Sequence, residues 1–202
     1  GGGESGSDSV VVAVRAGRLH FKPPDTFWVD TNARRYVPAV DDTVVGVVLE
    51  RNASGYKVDV GAPTPAMLPI LAFQGASKRN RPALLEGALV YARVVLAHPE
   101  LEPELSCQAP PGVASKDWVT GESLYGELSG GSVVRVSQGL ARQLVDPACA
   151  VLEALGDAMP FEVAVGANGA VWLRAGSERA TIVAINAVRS SEHLSDAQAR
   201  AL

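Results

Sequence analysis

Apolar positions along this chain first follow the period of strands and later mix in the period of helices, so the two halves predict different architecture. From Val10 to Pro38 the stretches VVVAVRAGRLHF, FWVD and RRYVP are rich in β-formers and are broken at Pro23-Pro24-Asp25. That predicts a small β module, too short to bury a core of its own. Next, TVVGVVLER and YKVDVG flank the turn formers Asn52-Ala53-Ser54-Gly55, a hairpin in which Gly55 is expected to supply a positive φ. AMLPIL, ALVYARVVLAH and a short run around Leu105–Gln108 add three strands, with a polar excursion over Gln74–Pro82 between the third and fourth. Five short strands with an irregular insert at that point outline an OB-type barrel.

Past the Pro- and Gly-rich stretch Ala109–Ser115, which reads as a linker, the pattern alternates between strand and helix. SVVRVS is a strand, and GLARQLVD places Leu140, Leu144 and Val145 on one helical face. Asp146-Pro147 is expected to open a second helix, with Asp146 as N-cap and Pro147 at the first helical position. FEVAV and AVWLRA surround Gly166-Ala167-Asn168-Gly169, a strong hairpin signal. A last long helix over Glu178–Ser190 should turn Ile182, Ile185, Val188 and nearby alanines inward, and Asp196–Leu202 can add a last turn or two. Strand, helix, helix, strand, strand, helix is the order of a KH-type module. The expected class is therefore mixed β and α/β. Its parts are a flexible tail over 1–9, an N-terminal β domain over 10–38, a five-stranded S1-like OB barrel over 39–108 and a KH domain over 109–202.

Composition narrows the function. Eighteen basic and 22 acidic residues give a net charge of −4, so nucleic acid cannot coat the whole surface and any RNA site must be local. No apolar run approaches the length of a membrane helix. Cys107 and Cys149 lack metal-ligand spacing and suit a reducing compartment, cytosol or nucleus. His20, His98 and His193 fall in separate modules, and the carboxylates do not converge in sequence, so neither a catalytic constellation, a metal site nor a cofactor is expected.

Two segments carry candidate chemistry. Ser77-Lys78-Arg79-Asn80-Arg81 puts three cations on the insert between the third and fourth barrel strands. Loops of that kind bind single strands, although the same charge run also suits an ordinary solvated loop. Tyr56 and Phe73 are the nearby candidates for base stacking, with burial in the core as the alternative for each. Gly166–Gly169 has the GXXG form of a KH nucleotide clamp but joins two strands, where a clamp would join two helices. The inter-helix position instead holds Val145-Asp146-Pro147-Ala148, with a repelling carboxylate and no N–H at Pro147. Gly166–Gly169 is therefore read as a tight hairpin, and Trp172 as an anchor against the barrel.

The segments FWVDTNARRYVPAVDDTVVGVV, YKVDVG, FQGASKRNRP, GLARQL and GANGAVWLRA, in this order, resemble the S1/KH cap subunits of the eukaryotic RNA exosome, within them the exosome component 3 family. The resemblance implies a non-catalytic subunit seated on RNase PH-like ring proteins beside other cap subunits. There it would guide single-stranded RNA toward a separate exoribonuclease, in nucleus, nucleolus and cytoplasm. It also implies RNA contact by Lys78, Arg79, Asn80 and Arg81, with Lys78 and Arg81 on phosphates, and an S1–KH brace formed by Gly166, Asn168, Gly169 and Trp172. Asp41-Asp42 stands where the family commonly has Gly-Asp, a change expected to alter a turn. A stand-alone S1/KH translation or RNA-chaperone factor and a nuclease subunit with its own active site are the competing readings.

Overall fold

The computed structural model describes residues 16–30, 35–113, 116, 123–146, 149–194 and 196–199. The expected tail over 1–9 and the strand residues Val10–Arg15 lie outside them. The chain divides into two compact units, 1–32 and 33–202. In the first, β1 (Arg18–Lys22) and β2 (Thr26–Asp30) form an antiparallel hairpin that pairs Leu19 with Val29 and Phe21 with Phe27. The two phenyl rings stack at 4.5 Å.

The second unit begins with the barrel. Strands β3 (Thr43–Arg51), β4 (Gly55–Asp59), β5 (Ala66–Pro69), β6 (Leu89–Leu96) and β7 (Glu104–Ser106) pair in the order β3-β4-β5-β7-β6, and a β3–β6 pairing closes the ring. Alternation explains the interior: Val44, Val48, Tyr56, Val58, Leu68, Val90, Ala92, Val94 and Leu105 all point into one cluster. Tyr36 is buried in that cluster and donates its hydroxyl to the Asp42 carboxylate at 2.6 Å, so it belongs to the barrel and not to the N-terminal β module.

Gly55 does not take a positive φ. Its reason is contact: a Cβ there would collide with the carbonyl of Leu68 on the neighbouring strand. The turn itself is made by Asn52, whose Oδ1 accepts from the N–H groups of Ser54 at 3.0 Å and Gly55 at 2.8 Å.

A further strand, β8 (Gly126–Leu128), pairs with Leu89–Tyr91 of β6, beyond the expected end of the barrel at 108. On β6, β7 covers residues 93–96 and β8 covers 89–91, so the two share one edge.

The remaining elements are β9 (Ser132–Arg135), α1 (Gln138–Val145), α2 (Ala150–Ala158), β10 (Phe161–Val165), β11 (Ala170–Ala175), α3 (Glu178–Ser190), a 3-10 turn (Ser191–His193) and α4 (Asp196–Ala199). Their sheet, in the order β10-β11-β9, is antiparallel throughout, which gives the KH-type α/β arrangement. Ser137 and Ser177 start α1 and α3 by accepting the N–H of Leu140 and of Ala180. The N-cap of α2 is Cys149 and not the expected Asp146, whose carbonyl accepts the Cys149 N–H at 3.0 Å. Asp146 is the C-cap of α1, and Cys149 caps α2 without a side-chain bond, while Pro147 and Ala148 lie outside the described residues. The inward faces of two helices also differ from expectation. Val145 is exposed and Ala141 takes its place, because the buried stripe of this two-turn helix is Leu140, Ala141 and Leu144. Ile182 is exposed and Ile185 half-buried, since α3 turns its smaller side chains Thr181 and Ala184, with Val188, to the sheet.

Candidate RNA-binding loop and the barrel brace

The basic loop grows from a hydrophobic root. Phe73 is fully buried and bridges to Cys107 beside β7, and its carbonyl accepts from the N–H of Ala76 at 3.0 Å. Ser77 and Asn80 then close a tight turn reciprocally: the Ser77 N–H reaches the Asn80 carbonyl at 2.9 Å, and the Asn80 N–H reaches Ser77 O at 3.2 Å and Oγ at 3.1 Å. Lys78 and Arg79 form the tip and are exposed. Arg81 folds back, donating its Nε–H to the Lys78 carbonyl at 2.9 Å.

The exit is pinned from inside the barrel. The Tyr56 hydroxyl donates to the Pro82 carbonyl at 2.7 Å and accepts from the Leu84 N–H at 3.3 Å. An aromatic on an inward strand position that must satisfy its hydroxyl is the sequence signal that could have found this anchor.

None of Lys78, Arg79 and Arg81 forms an ion pair among the described residues. Three positive charges sit on a short turn whose backbone is tied at both ends, so an anion meets them on a preordered main chain. The expected stacking partners are absent from this surface. Tyr56 and Phe73 both lie in the core, edge to face at 6.4 Å, because each fills the interior beneath the loop.

Gly166–Gly169 lies against the barrel. Asn168 is only 6% exposed, and its amide donates to the carbonyls of Val45 at 2.8 Å and Val60 at 2.9 Å. The Ala167 N–H donates to the Thr43 carbonyl at 2.7 Å. Both Thr43 Oγ1 and the Tyr91 hydroxyl donate to the Val165 carbonyl, at 3.2 and 3.3 Å. Burial raises the Tyr91 phenol above its ordinary value, which keeps that donor protonated.

The glycines have separate reasons. Gly169 has a φ of 75°, and a Cβ on Gly166 would strike the Asn168 side chain. Trp172 is buried with Val45, Ala164 and Ala170, flanked by Leu89, Tyr91 and Leu128, and donates Nε1–H to the Gly130 carbonyl at 2.9 Å. One face of the KH sheet is thereby joined to the barrel wall.

Asp41 adopts a φ of 71°, the conformation in which glycine is at ease. Its backbone N–H donates to the Val94 carbonyl and its carboxylate meets the Arg93 guanidinium at 2.6 Å. The strand opposite supplies a partner for the side chain.

Comparison with known proteins places these parts in a family. Residues 36–116 match the model described as exosome complex component RRP40, S1 domain, and residues 131–179 match the KH domain model. The chain is 43% identical to exosome complex component RRP40 of Drosophila melanogaster over 92% of its own length and 76% of that protein. It is 34% identical to the Homo sapiens protein of the same name, covering 93% of this chain and 68% of that one. A crystal structure of an exosome complex RNA-binding protein superposes with a TM-score of 0.63 over 83% of this chain and 94% of that chain; at 20% identity it bears on the fold alone.

Proposed function

Because this chain belongs to the exosome complex component RRP40 family, we propose that it is a non-catalytic, RNA-binding cap subunit of an exosome. It would sit with other cap subunits on RNase PH-like ring proteins and lead single-stranded RNA toward an associated 3′→5′ exoribonuclease, serving rRNA processing and mRNA turnover in nucleus, nucleolus and cytoplasm. The observation that carries this reading is the Ser77–Pro82 loop, whose cations are unpaired among the described residues while its two ends are tied into the barrel.

Within the loop the roles divide. Lys78 and Arg79 at the tip take RNA phosphates, Arg81 combines phosphate binding with holding the tip through the Lys78 carbonyl, and Asn80 shapes the turn. Gly166, Asn168, Gly169 and Trp172 brace S1 against KH and leave RNA to the loop.

The test is a reconstituted exosome carrying Lys78→Glu and Arg79→Glu. Protection of single-stranded RNA should shorten at the entrance, and the dependence of log affinity on log salt should flatten by about 0.7 for each phosphate that is no longer neutralised. Unchanged protection together with an unchanged slope would remove the loop from the RNA path. Tight RNA binding by the isolated chain would favour a stand-alone factor, and chelator-sensitive RNA turnover by the pure protein a nuclease.

A further inference from the structure

The barrel has a second end that the RNA reading leaves unused. Strand β6 starts beside the loop that follows Pro82 and ends at Leu96, while β5 starts just after Thr64 and ends at Pro69 on the basic-loop side. Both strands run from one pole to the other, and eight residues of β6 separate the poles by on the order of 25 Å.

At the pole away from the basic loop lies a groove of about 330 Å³. Its walls include Val37, Pro38, Pro63, Leu101 and Pro103, and Leu101 is 56% exposed. That volume is within the range of preformed binding clefts. The charge at its rim comes from Glu100 and Glu102, both exposed.

Several backbone donors of the lining are missing or already engaged. Pro38, Pro63, Pro99 and Pro103 have no N–H to offer. The N–H groups of Glu100 and Leu101 already donate to His98, to Nδ1 and to the carbonyl, each at 3.2 Å. A ligand therefore meets apolar walls and the Glu100 and Glu102 carboxylates, beside the Thr64 hydroxyl and the His98 imidazole.

A phosphate backbone is repelled by such a rim, whereas an apolar side chain next to Lys or Arg satisfies both features. We propose that this groove is a docking site for an extended protein segment bearing an apolar anchor flanked by basic residues. The barrel then holds RNA at its basic pole and a protein at its acidic, apolar pole. Rigid proline walls lower the ordering cost of capture.

The experiment selects a random-peptide phage library on the full chain and measures the enriched peptides, fluorescein-labelled, by polarisation. Enriched sequences should pair an aliphatic or aromatic residue with Lys or Arg. Their binding should weaken by about tenfold or more in Glu100→Lys/Glu102→Lys and in Leu101→Ser, and it should weaken in high salt. Lys78→Glu should leave it unchanged. All four positions are exposed, and unchanged circular dichroism melts would verify folding. No enrichment, enrichment of acidic or uncharged sequences, or equal binding to the groove variants would overturn the proposal. A uridine oligonucleotide that displaces the peptides from the wild type, and whose own binding is abolished in the Leu101→Ser variant, would also overturn it by assigning the groove to nucleic acid.

Discussion

At the residue scale, Asn168 does the most with one side chain. Its amide satisfies two barrel carbonyls from the tip of a KH hairpin, and it is buried, so water cannot replace it. Asn168→Ala should lower stability by about 2–4 kcal/mol, because the Val45 and Val60 carbonyls would both be left without a donor in a dry site. Urea unfolding monitored by Trp fluorescence checks this. A change under about 0.5 kcal/mol would mean the carbonyls find other donors. Asp41 shows the reverse case, a residue at a φ of 71° whose exposed carboxylate meets Arg93. That partner comes from a strand about fifty positions away, so no local reading of Asp41-Asp42 could anticipate it.

At the element scale, the basic loop depends on the strand beneath it. Tyr56→Phe keeps the ring in the core and removes the bonds to the Pro82 carbonyl and the Leu84 N–H, so the loop should loosen while the barrel stays folded. Amide exchange should accelerate at Leu84 and through Ser77–Asn80, RNA affinity should fall by about threefold to tenfold as preorganisation is reduced, and overall stability should fall by about 1 kcal/mol. Exchange rates equal to wild type would show that the reciprocal Ser77–Asn80 turn holds the tip alone. The same loop and strand mark the boundary of what is legible in sequence. Strand alternation and turn chemistry locate the five barrel strands, the KH order and the Gly166–Gly169 hairpin, because those signals are local. Three features escape them. β8 is three residues long with no alternation to detect, and its existence depends on an edge that β7 leaves open on β6. The inward faces of α1 and α3 differ from expectation at Val145 and Ile182, which are exposed where Ala141 and Thr181 are buried. Residue type alone suggests Tyr56 and Phe73 for stacking, yet both belong to the hydrophobic interior.

At the scale of the whole molecule, the barrel and KH cores meet through a third cluster, Val45, Ala164, Ala170 and Trp172, sealed by the Trp172 bond to Gly130. Residues 33–202 should therefore melt in a single transition. Trp172→Ala, which opens a large cavity at this junction, should cost about 3–5 kcal/mol and split that transition in two in differential scanning calorimetry. One undivided transition in the variant would show that the hairpin brace couples the halves unaided. The placement of β8 reaches further than stability. A barrel excised at residue 116, where the S1 match ends, would leave the outward N–H and C=O groups of Leu89–Tyr91 bare, a template onto which another chain could zip. Transplanting this barrel into another protein thus requires carrying residues 123–128 with it: the unit that is transferable without inviting aggregation is longer than the domain outline drawn from homology.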